Sequence, residues 1–217
     1  MSDRPQTEAL IAQLAQDLRP VRRLAPAGRR AGLWTLAVLW MGLLLSFFVD
    51  FSTLATRLMA TPDMWLSAAG AAATAILASV AALQTAVPGR SVLWPLLPLP
   101  ALAIWVGASA AGCLRLVPAA ATVPEPAMHP MLCMQFLLLV SLPLSGLLIW
   151  LLASACPLRP GLTASLGGLA SAAAAAALLN LIHPFDANRI DLLLHAAIVI
   201  LVVLATRLAA LGFLRTN

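Results

Sequence analysis

The sequence predicts an all-α membrane protein with six transmembrane helices, a short amphipathic N-terminal helix, and both termini in the cytoplasm. Of the 217 residues, 62% are hydrophobic and only 10% are charged, with a mean hydropathy of +0.96. A water-soluble fold of this size cannot bury that much apolar surface, so lipid must be the solvent for most of the chain. The apolar residues also form continuous runs of about 20 residues, the length of a membrane-spanning helix, without the alternation of barrel strands.

Six such runs follow one another along the chain. They cover residues 31–49, 64–87, 91–111, 131–152, 162–182 and 192–211. The third run contains Pro95, Pro98 and Pro100, which predict an irregular or kinked start. The fifth run is rich in alanine and glycine, which allow close helix approach in lipid, so we expect it at the centre of the bundle. The few polar side chains inside the runs, among them Gln84 and Asn180, are expected to form interhelical hydrogen bonds.

The arginines orient these six spans in the membrane. All 13 basic side chains are arginine, and they flank the apolar runs. With the N-terminus inside, only Arg57, Arg115 and Arg189 lie on the far side, as the positive-inside rule requires. A nucleic-acid-binding protein would instead gather its basic residues on one face, so we expect the lipid bilayer as a partner and no direct nucleic-acid contact.

The chain divides into a cytoplasmic arm at residues 1–30 and a transmembrane domain at residues 31–217. Within the arm, Leu10, Leu14 and Leu18 recur at every fourth position, which predicts a helix with an apolar stripe.

This arm helix is predicted to begin near Thr7, a candidate N-cap, and to end before Pro20. A single helix of about 12 residues is marginal in water, so the stripe must be buried against another surface. Two kinds of surface could bury the stripe: a membrane and a groove in a partner protein. A membrane surface would favour basic residues on the polar face, but that face carries Glu8, Gln13 and Asp17. A groove in a partner protein is therefore the favoured host, with residues 21–30 as a basic tether.

A known family resembles this chain over nearly its whole length. The resemblance is carried first by the arm segment L-I-A-Q-L-A-Q-D-L-R-P-V-R-R-L, which leads directly into the hydrophobic spans. Further matches are V-P-G-R-S at 87–91, G-C-L at 112–114, Cys133 at the start of the fourth span, P-L-R-P at 157–160 and the loop at 183–186. In these features the chain resembles the NrsF-like family of multi-pass membrane anti-sigma factors.

The resemblance implies a function for the arm. It would bind an extracytoplasmic-function sigma factor and hold it at the inner membrane of a bacterium, away from RNA polymerase, until an envelope signal releases it. The residues implied in the partner contact are Leu10, Ile11, Leu14, Leu18, Arg22 and Arg23. The chain departs from the family at one position. Family members typically place a second cysteine after the histidine in the loop between spans five and six, whereas here His183 is followed by Pro184.

The outer face carries the candidate sensing residues. Cys113 and Cys133 lie at the outer ends of consecutive spans, and with His183 they are candidates for a redox sensor. A disulfide, a thiol switch and a passive role for the two cysteines all remain open, because the pairing geometry decides between them.

A cluster of soft ligands begins the fourth span. It comprises His129, Met131, Cys133 and Met134, which suit copper(I) or a similar soft metal ion as a signal. Ordinary apolar packing of the methionines at the membrane boundary is the other reading. We expect no resident cofactor.

No catalytic motif appears in the sequence. It contains no glycine-rich phosphate loop, no H-E-x-x-H and no C-x-x-C, so we do not expect an enzyme. The alternative function is an inner-membrane transporter of a small molecule or metal ion, which would place ionisable residues or broken helices at mid-membrane. The charged residues here lie near span ends. The arm distinguishes the two functions, because a transporter would tolerate the loss of residues 1–20.

Overall fold

The computed structural model describes residues 4–16, 24–60, 62–116, 130–155, 157–182 and 189–216. These residues form α-helices and one short 3-10 turn, Trp94–Leu96, and the described ranges contain no strand. The helices are α1 (Arg4–Gln16), α2 (Ala27–Ser46), α3 (Phe51–Ala60), α4 (Pro62–Thr85), α5 (Leu99–Leu116), α6 (Pro130–Ala153), α7 (Pro160–Ile182) and α8 (Arg189–Thr216). The predicted all-α class is confirmed.

Five stretches of the described chain are helical, long enough and apolar enough to cross a membrane. They are Pro62–Thr85, Trp94–Gly112, Leu132–Ala153, Pro160–Ile182 and Leu192–Gly212. They coincide with the second to sixth predicted spans, and their bounds differ by only a few residues. The predicted irregular start of the third span is also found. Because prolines crowd this segment, a 3-10 turn precedes α5, which becomes regular only from Leu99.

The first predicted span, residues 31–49, corresponds to α2, which is not among these five. The helix has 20 residues, but Arg29 and Arg30 lie in its first turn and it already ends at Ser46. Its uninterrupted apolar part is therefore shorter than predicted. Helix length and composition thus support five of the six predicted spans, and the first span stays a prediction.

Contacts between helix ends show the relative directions of the helices. Three pairs are antiparallel: α4 with α7, α2 with α6, and α4 with α5. Thr85, at the end of α4, has its Oγ1 3.5 Å from Oγ1 of Thr163 at the start of α7. Arg30, at the start of α2, donates to the carbonyl oxygen of Leu151 near the end of α6. At the other end of the bundle, a Cβ added to Gly112 in α5 would lie 3.7 Å from Cβ of Asp63 at the start of α4.

The two ends of the bundle differ in charge. One end, called here the arginine end, contains the starts of α2 and α7 and the ends of α4 and α6, with residues Arg29, Arg30, Arg90 and Arg159. Arg207 of α8 belongs to the same end, because its Nε would lie 3.4 Å from a Cβ at Gly161. The opposite end, called here the acidic end, contains Asp50 and Asp63 beside the starts of α3 and α4. Bundle topology therefore gathers residues that are far apart in sequence into two chemically distinct ends.

Helix α7 lies at the centre of the bundle, as its composition predicts. Most of its residues are buried, including the alanine run from Ala172 to Ala176. It packs against α4, α6 and α8. A Cβ added to Gly168 would lie only 2.8 Å from Cα of Val203 in α8, so glycine is required for this close approach. Small residues therefore let three helices pack closely around α7.

The predicted outer loop between Asp50 and Asp63 contains a helix that the sequence analysis missed. Helix α3 is N-capped by Asp50, whose Oδ1 accepts a hydrogen bond from the backbone N–H of Ser52 at 3.0 Å. The hydroxyl of Thr53 donates to Oδ2 of the same carboxylate at 2.6 Å. These hydrogen bonds lower the pKa of Asp50 to about 2. The sequence signal for α3 is an aspartate cap followed by Leu54 and Leu58 one turn apart.

Candidate functional site

The N-terminal arm contains the predicted helix, with a different start. Helix α1 begins at Arg4, so Thr7 lies inside it and is not the N-cap that the sequence analysis proposed. Pro5 explains the earlier start, since proline is well suited to the first turn of a helix, where its missing N–H costs nothing. The predicted contact residues Leu18, Arg22 and Arg23 lie outside the described residues.

The apolar stripe of α1 is exposed. Leu10, Ile11 and Leu14 are 55%, 60% and 59% exposed. Every described side chain from Gln6 to Gln16 is exposed as well. The described part of the bundle therefore does not cover this stripe, and α1 presents three large apolar side chains on one side of a short helix.

The arm is joined to the bundle through the first turns of α2. The sequence analysis assigned residues 21–30 to a tether, but α2 already begins at Ala27 and Arg30 is buried in the bundle, with 3% of its surface exposed. Nη1 of Arg30 donates to the carbonyl oxygen of Leu151 at 2.9 Å. One turn later, Nε1 of Trp34 donates to the carbonyl oxygen of Leu144 at 3.1 Å. These two bonds fasten the arm-proximal half of α2 to α6.

The position of the Arg30 bond has a physical reason. Leu151 lies in the last turn of α6, where carbonyl groups lack the N–H of a following turn. The backbone N–H of Ala155 bonds Leu152 at 2.9 Å, which leaves the Leu151 oxygen to Arg30 and to the Ser154 hydroxyl. A guanidinium at a helix C-terminus also interacts favourably with the helix dipole.

The candidate sensing residues are described only in part. Cys133 lies in the first turn of α6 and is buried, and Met134 beside it is half-buried. Cys113 belongs to the last turn of α5, so both cysteines lie on helix turns at the acidic end of the bundle. The side chain of Cys113 is not among those that the structure describes. The disulfide, the thiol switch and the passive role therefore all stay open for these two cysteines.

The predicted metal cluster is likewise untested. Its members His129 and the side chain of Met131 fall outside the described residues, as does the sensing candidate His183. Among the residues that are described, no three histidine, cysteine or acidic side chains are placed to hold a metal ion.

Serine and threonine side chains make hydrogen bonds between helices. Such bonds were expected from Gln84 and Asn180. Thr206 in α8 donates to Ser145 in α6 at 3.2 Å, and the hydroxyls of Ser67 and Ser109 are 2.9 Å apart between α4 and α5. Asn180 instead donates to the carbonyl oxygen of Ala176 in its own helix. The expectation for Asn180 is therefore wrong, because a short amide reaches the preceding turn more easily than a neighbouring helix.

Comparison with known proteins places the chain in a family. The model of the NrsF family, described as negative regulator of sigma F, matches residues 14–215. The match begins at Leu14 within α1 and includes all of α2 to α7 and nearly all of α8. No curated protein and no solved structure shows a significant match to the chain.

Proposed function

The chain belongs to the family of negative regulators of sigma F, and from this we propose that it holds an extracytoplasmic-function sigma factor at a bacterial inner membrane. The arm helix α1 binds the sigma factor, and the helical bundle anchors the complex in the bilayer. Sequestration keeps the sigma factor from RNA polymerase. An envelope signal received by the bundle then releases it.

The exposed stripe of α1 is the observation that carries this proposal. Leu10, Ile11 and Leu14 are each more than half exposed, although such side chains normally gain about 1.5–3 kcal/mol each from full burial. A protein groove that covers them would recover most of that free energy, as in other complexes where a helix binds in a groove. The polar side of α1 carries Glu8 and glutamines, which gain nothing from anionic lipid.

Six spans with both termini in the cytoplasm fit this role. The side chains of Leu36, Leu39 and Trp40 in α2 are 62%, 64% and 60% exposed, which suits a lipid-facing helix. With α2 as the first span, the arginine end faces the cytoplasm by the positive-inside rule, and α1 emerges on that side. This is where a sigma factor is found.

The acidic end is then the side that receives the signal. Cys113, Cys133 and His183 are proposed as redox-sensing residues, and His129, Met131, Cys133 and Met134 as soft-metal ligands. In a cell that reports sigma activity, Cys133→Ser should abolish the response to an added oxidant or to copper(I), while basal repression is retained. A response equal to that of wild type would exclude Cys133 from sensing.

The first test is binding of the full-length protein, in lipid nanodiscs, to the sigma factors of its host. Leu14→Asp should weaken binding to the partner sigma factor by at least about tenfold, because a charge enters the apolar contact. Ala12→Asp is the matched control, since it adds the same charge to an exposed position on another side of α1. If both variants bind as tightly as wild type, or if wild type binds no sigma factor, the proposal is wrong.

A further inference from the structure

Three phenylalanines are exposed where α2 is joined to α3 at the acidic end of the bundle. Phe47 and Phe48 follow the last turn of α2, and Phe51 is the first residue of α3. Their side chains are 79%, 81% and 62% exposed. The described part of the bundle therefore leaves three large apolar rings uncovered in one short segment. An exposed apolar cluster of this kind marks a surface that meets a partner or a membrane.

The cluster continues the exposed face of α2. Leu36, Trp40 and Leu43 are 62%, 60% and 51% exposed, and Phe47 follows them at helical spacing on the same side. The backbone of Phe47 is still helical, with φ −66° and ψ −17°, so its side chain extends this face. The lipid that covers the face in the proposed placement of α2 therefore extends to Phe47.

The regular part of α2 is too short to cross a bilayer unaided. Between Ala31 and Ser46 the helix rises about 23 Å, roughly 7 Å less than a hydrocarbon core about 30 Å thick. The bilayer must become thinner around so short a span, unless apolar side chains beyond the helix end fill the gap. The three phenylalanines stand at this end of α2.

Helix α3 lies at the level of the membrane surface. It ends at Ala60, and the candidate span of α4 begins at Pro62. One side of α3 carries Phe51 and, one turn later, Leu54, which is buried against the bundle. The other side carries the polar residues Ser52, Thr53 and Thr56. Helices that lie in a membrane interface have this division, and their apolar side enters the bilayer by about 5–10 Å, which matches the length that α2 lacks.

The polar groups beside the rings favour lipid over a protein as the partner. Asp50 accepts hydrogen bonds from the hydroxyls of Ser52 and Thr53, at 2.7 and 2.6 Å. The hydroxyl of Thr56 donates to the carbonyl oxygen of Ser52 at 2.9 Å. These groups are thus paired within α3, whereas a protein interface adds hydrogen bonds around its apolar centre. The exposed carboxylate of Asp50 stays in the hydrated headgroup region, so it sets the depth of the rings next to it.

The absence of a basic polar face has a different meaning in α3 than in α1. Helix α1 is attached at one end only, so its binding to a membrane would need attraction to anionic lipid. Helix α3 lies between α2 and α4 in the chain, which hold it at the membrane boundary. It needs no further electrostatic attraction.

We propose that Phe47, Phe48 and Phe51 enter the outer leaflet of the bilayer and anchor α3 as an interfacial helix. The proposal rests on the proposed placement of α2 as the first span, and it does not involve the sigma factor. The rings meet the acyl chains and not a particular headgroup, because phenylalanine has no polar group on its side chain.

The test uses the full-length protein in phosphatidylcholine nanodiscs, with the photoreactive amino acid p-benzoylphenylalanine in place of Phe48. Irradiation should attach this side chain to a lipid acyl chain, and mass spectrometry of the digested protein measures the adduct. The same amino acid in place of Thr56, on the polar side of α3, is the matched control and should give at least about fivefold less lipid adduct. Both positions are exposed, so neither substitution disturbs the core.

A second measurement removes the rings. The combined variant Phe47→Ser, Phe48→Ser and Phe51→Ser should raise the rate of deuterium exchange at the amides of α3 by at least about tenfold, because the helix leaves the protection of the bilayer. Exchange in α7 should stay unchanged, which shows that the bundle remains folded.

Four results would overturn the proposal. Equal lipid adducts at positions 48 and 56 would mean that α3 has no preferred side toward the bilayer. A cross-link between two copies of the chain at position 48 would assign the rings to a second copy. Unchanged exchange in the serine variant would mean that the rings do not hold α3. A protein that binds its sigma factor but gives no lipid adduct at position 48 would exclude the anchor and leave the proposed function standing.

Discussion

Helices α7 and α2 show opposite relations between hydrophobicity and burial. Helix α7 is built largely of alanine and glycine, and most of it is buried. Helix α2 carries larger apolar side chains, including Leu36, Leu39 and Trp40, yet these are mostly exposed. In water the larger apolar residues would be inside. Among helices in lipid, hydrophobicity no longer decides which one is buried, and close packing of small residues places α7 at the centre.

The two helices are also held by different interactions. Helix α7 packs backbone against backbone, as Gly168 does against Val203. Helix α2 makes side-chain hydrogen bonds in its arm-proximal half, where Arg30 and Trp34 bond the backbone of α6. We therefore expect the stability of the bundle to reside around α7, while α2 and the segments next to it tolerate change. Three predictions compare the packing around α7 with exposed positions elsewhere in the bundle.

The largest effect is expected when a large side chain that packs on α7 is shortened. Leu148 in α6 is fully buried, and its Cδ2 would lie 3.1 Å from a Cβ at Gly167. Leu148→Ala should lower the free energy of unfolding by about 2–5 kcal/mol, because the cavity at this site cannot collapse easily. Leu139→Ala in the same helix is the control, since Leu139 is 75% exposed and lipid replaces its contacts. Unfolding in mixed micelles measures both, and equal losses would contradict the contrast.

An added methyl group between α7 and α8 should have a somewhat smaller effect. Gly168→Ala places a Cβ 2.8 Å from Cα of Val203 and 3.1 Å from Cβ of Thr206, so the two backbones must separate. We expect a loss of about 1–3 kcal/mol. Gly146→Ala is the matched control in α6, where nothing lies within 4 Å of the added atom. It should be neutral or gain up to about 1 kcal/mol of helix propensity. A stable Gly168→Ala protein would show that α7 is not tightly packed.

The smallest effect is expected at the cap of α3, far from α7. Asp50 has its pKa lowered from 3.8 to about 2, so the cap is at full strength above pH 3.8 and is lost as the pH falls through about 2. Amide NMR signals of Ser52 and Thr53 should shift over this range, while those of α7 remain unchanged. In Asp50→Asn the titration should disappear. A simultaneous change in α7 would mean that the cap and the core unfold together.

The sequence predicted most of the fold because membrane helices follow from local properties. The length of each apolar run predicts a span, and the prolines before Leu99 predict the irregular start of the third one. The small residues of α7 predict its central position. The sequence analysis failed where a boundary depends on a few residues. It placed residues 27–30 in a tether because arginines usually lie outside the apolar core, yet Arg30 is buried against a helix end. Helix α3 was not predicted, because its ten residues are too short for a membrane span and its signal is only the Asp50 cap before Leu54 and Leu58.

For the candidate site, the sequence supplied the residues and the structure supplied their surroundings. Leu10 and Leu14 were predicted from their spacing to lie on one apolar stripe, and the family resemblance implied that they and Ile11 contact the partner. That the bundle does not cover this stripe could not be predicted, because exposure depends on the position of every neighbouring helix.

The sequence by itself determined that this protein is helical, that it is a membrane protein, and that its positive charge is concentrated at one end. These properties follow from the composition and from the order of the apolar runs. Both can be read from each segment alone, without knowing which segments pack against it. Only the tertiary structure decided which helix is central, which serine and threonine pairs bond across helices, and that the Nε and Nη2 groups of Arg30 are left without a partner in the described residues. Such properties depend on distances between residues that are far apart in the sequence, by 42 positions for Ser67 and Ser109 and by 121 for Arg30 and Leu151, and no local pattern encodes those distances.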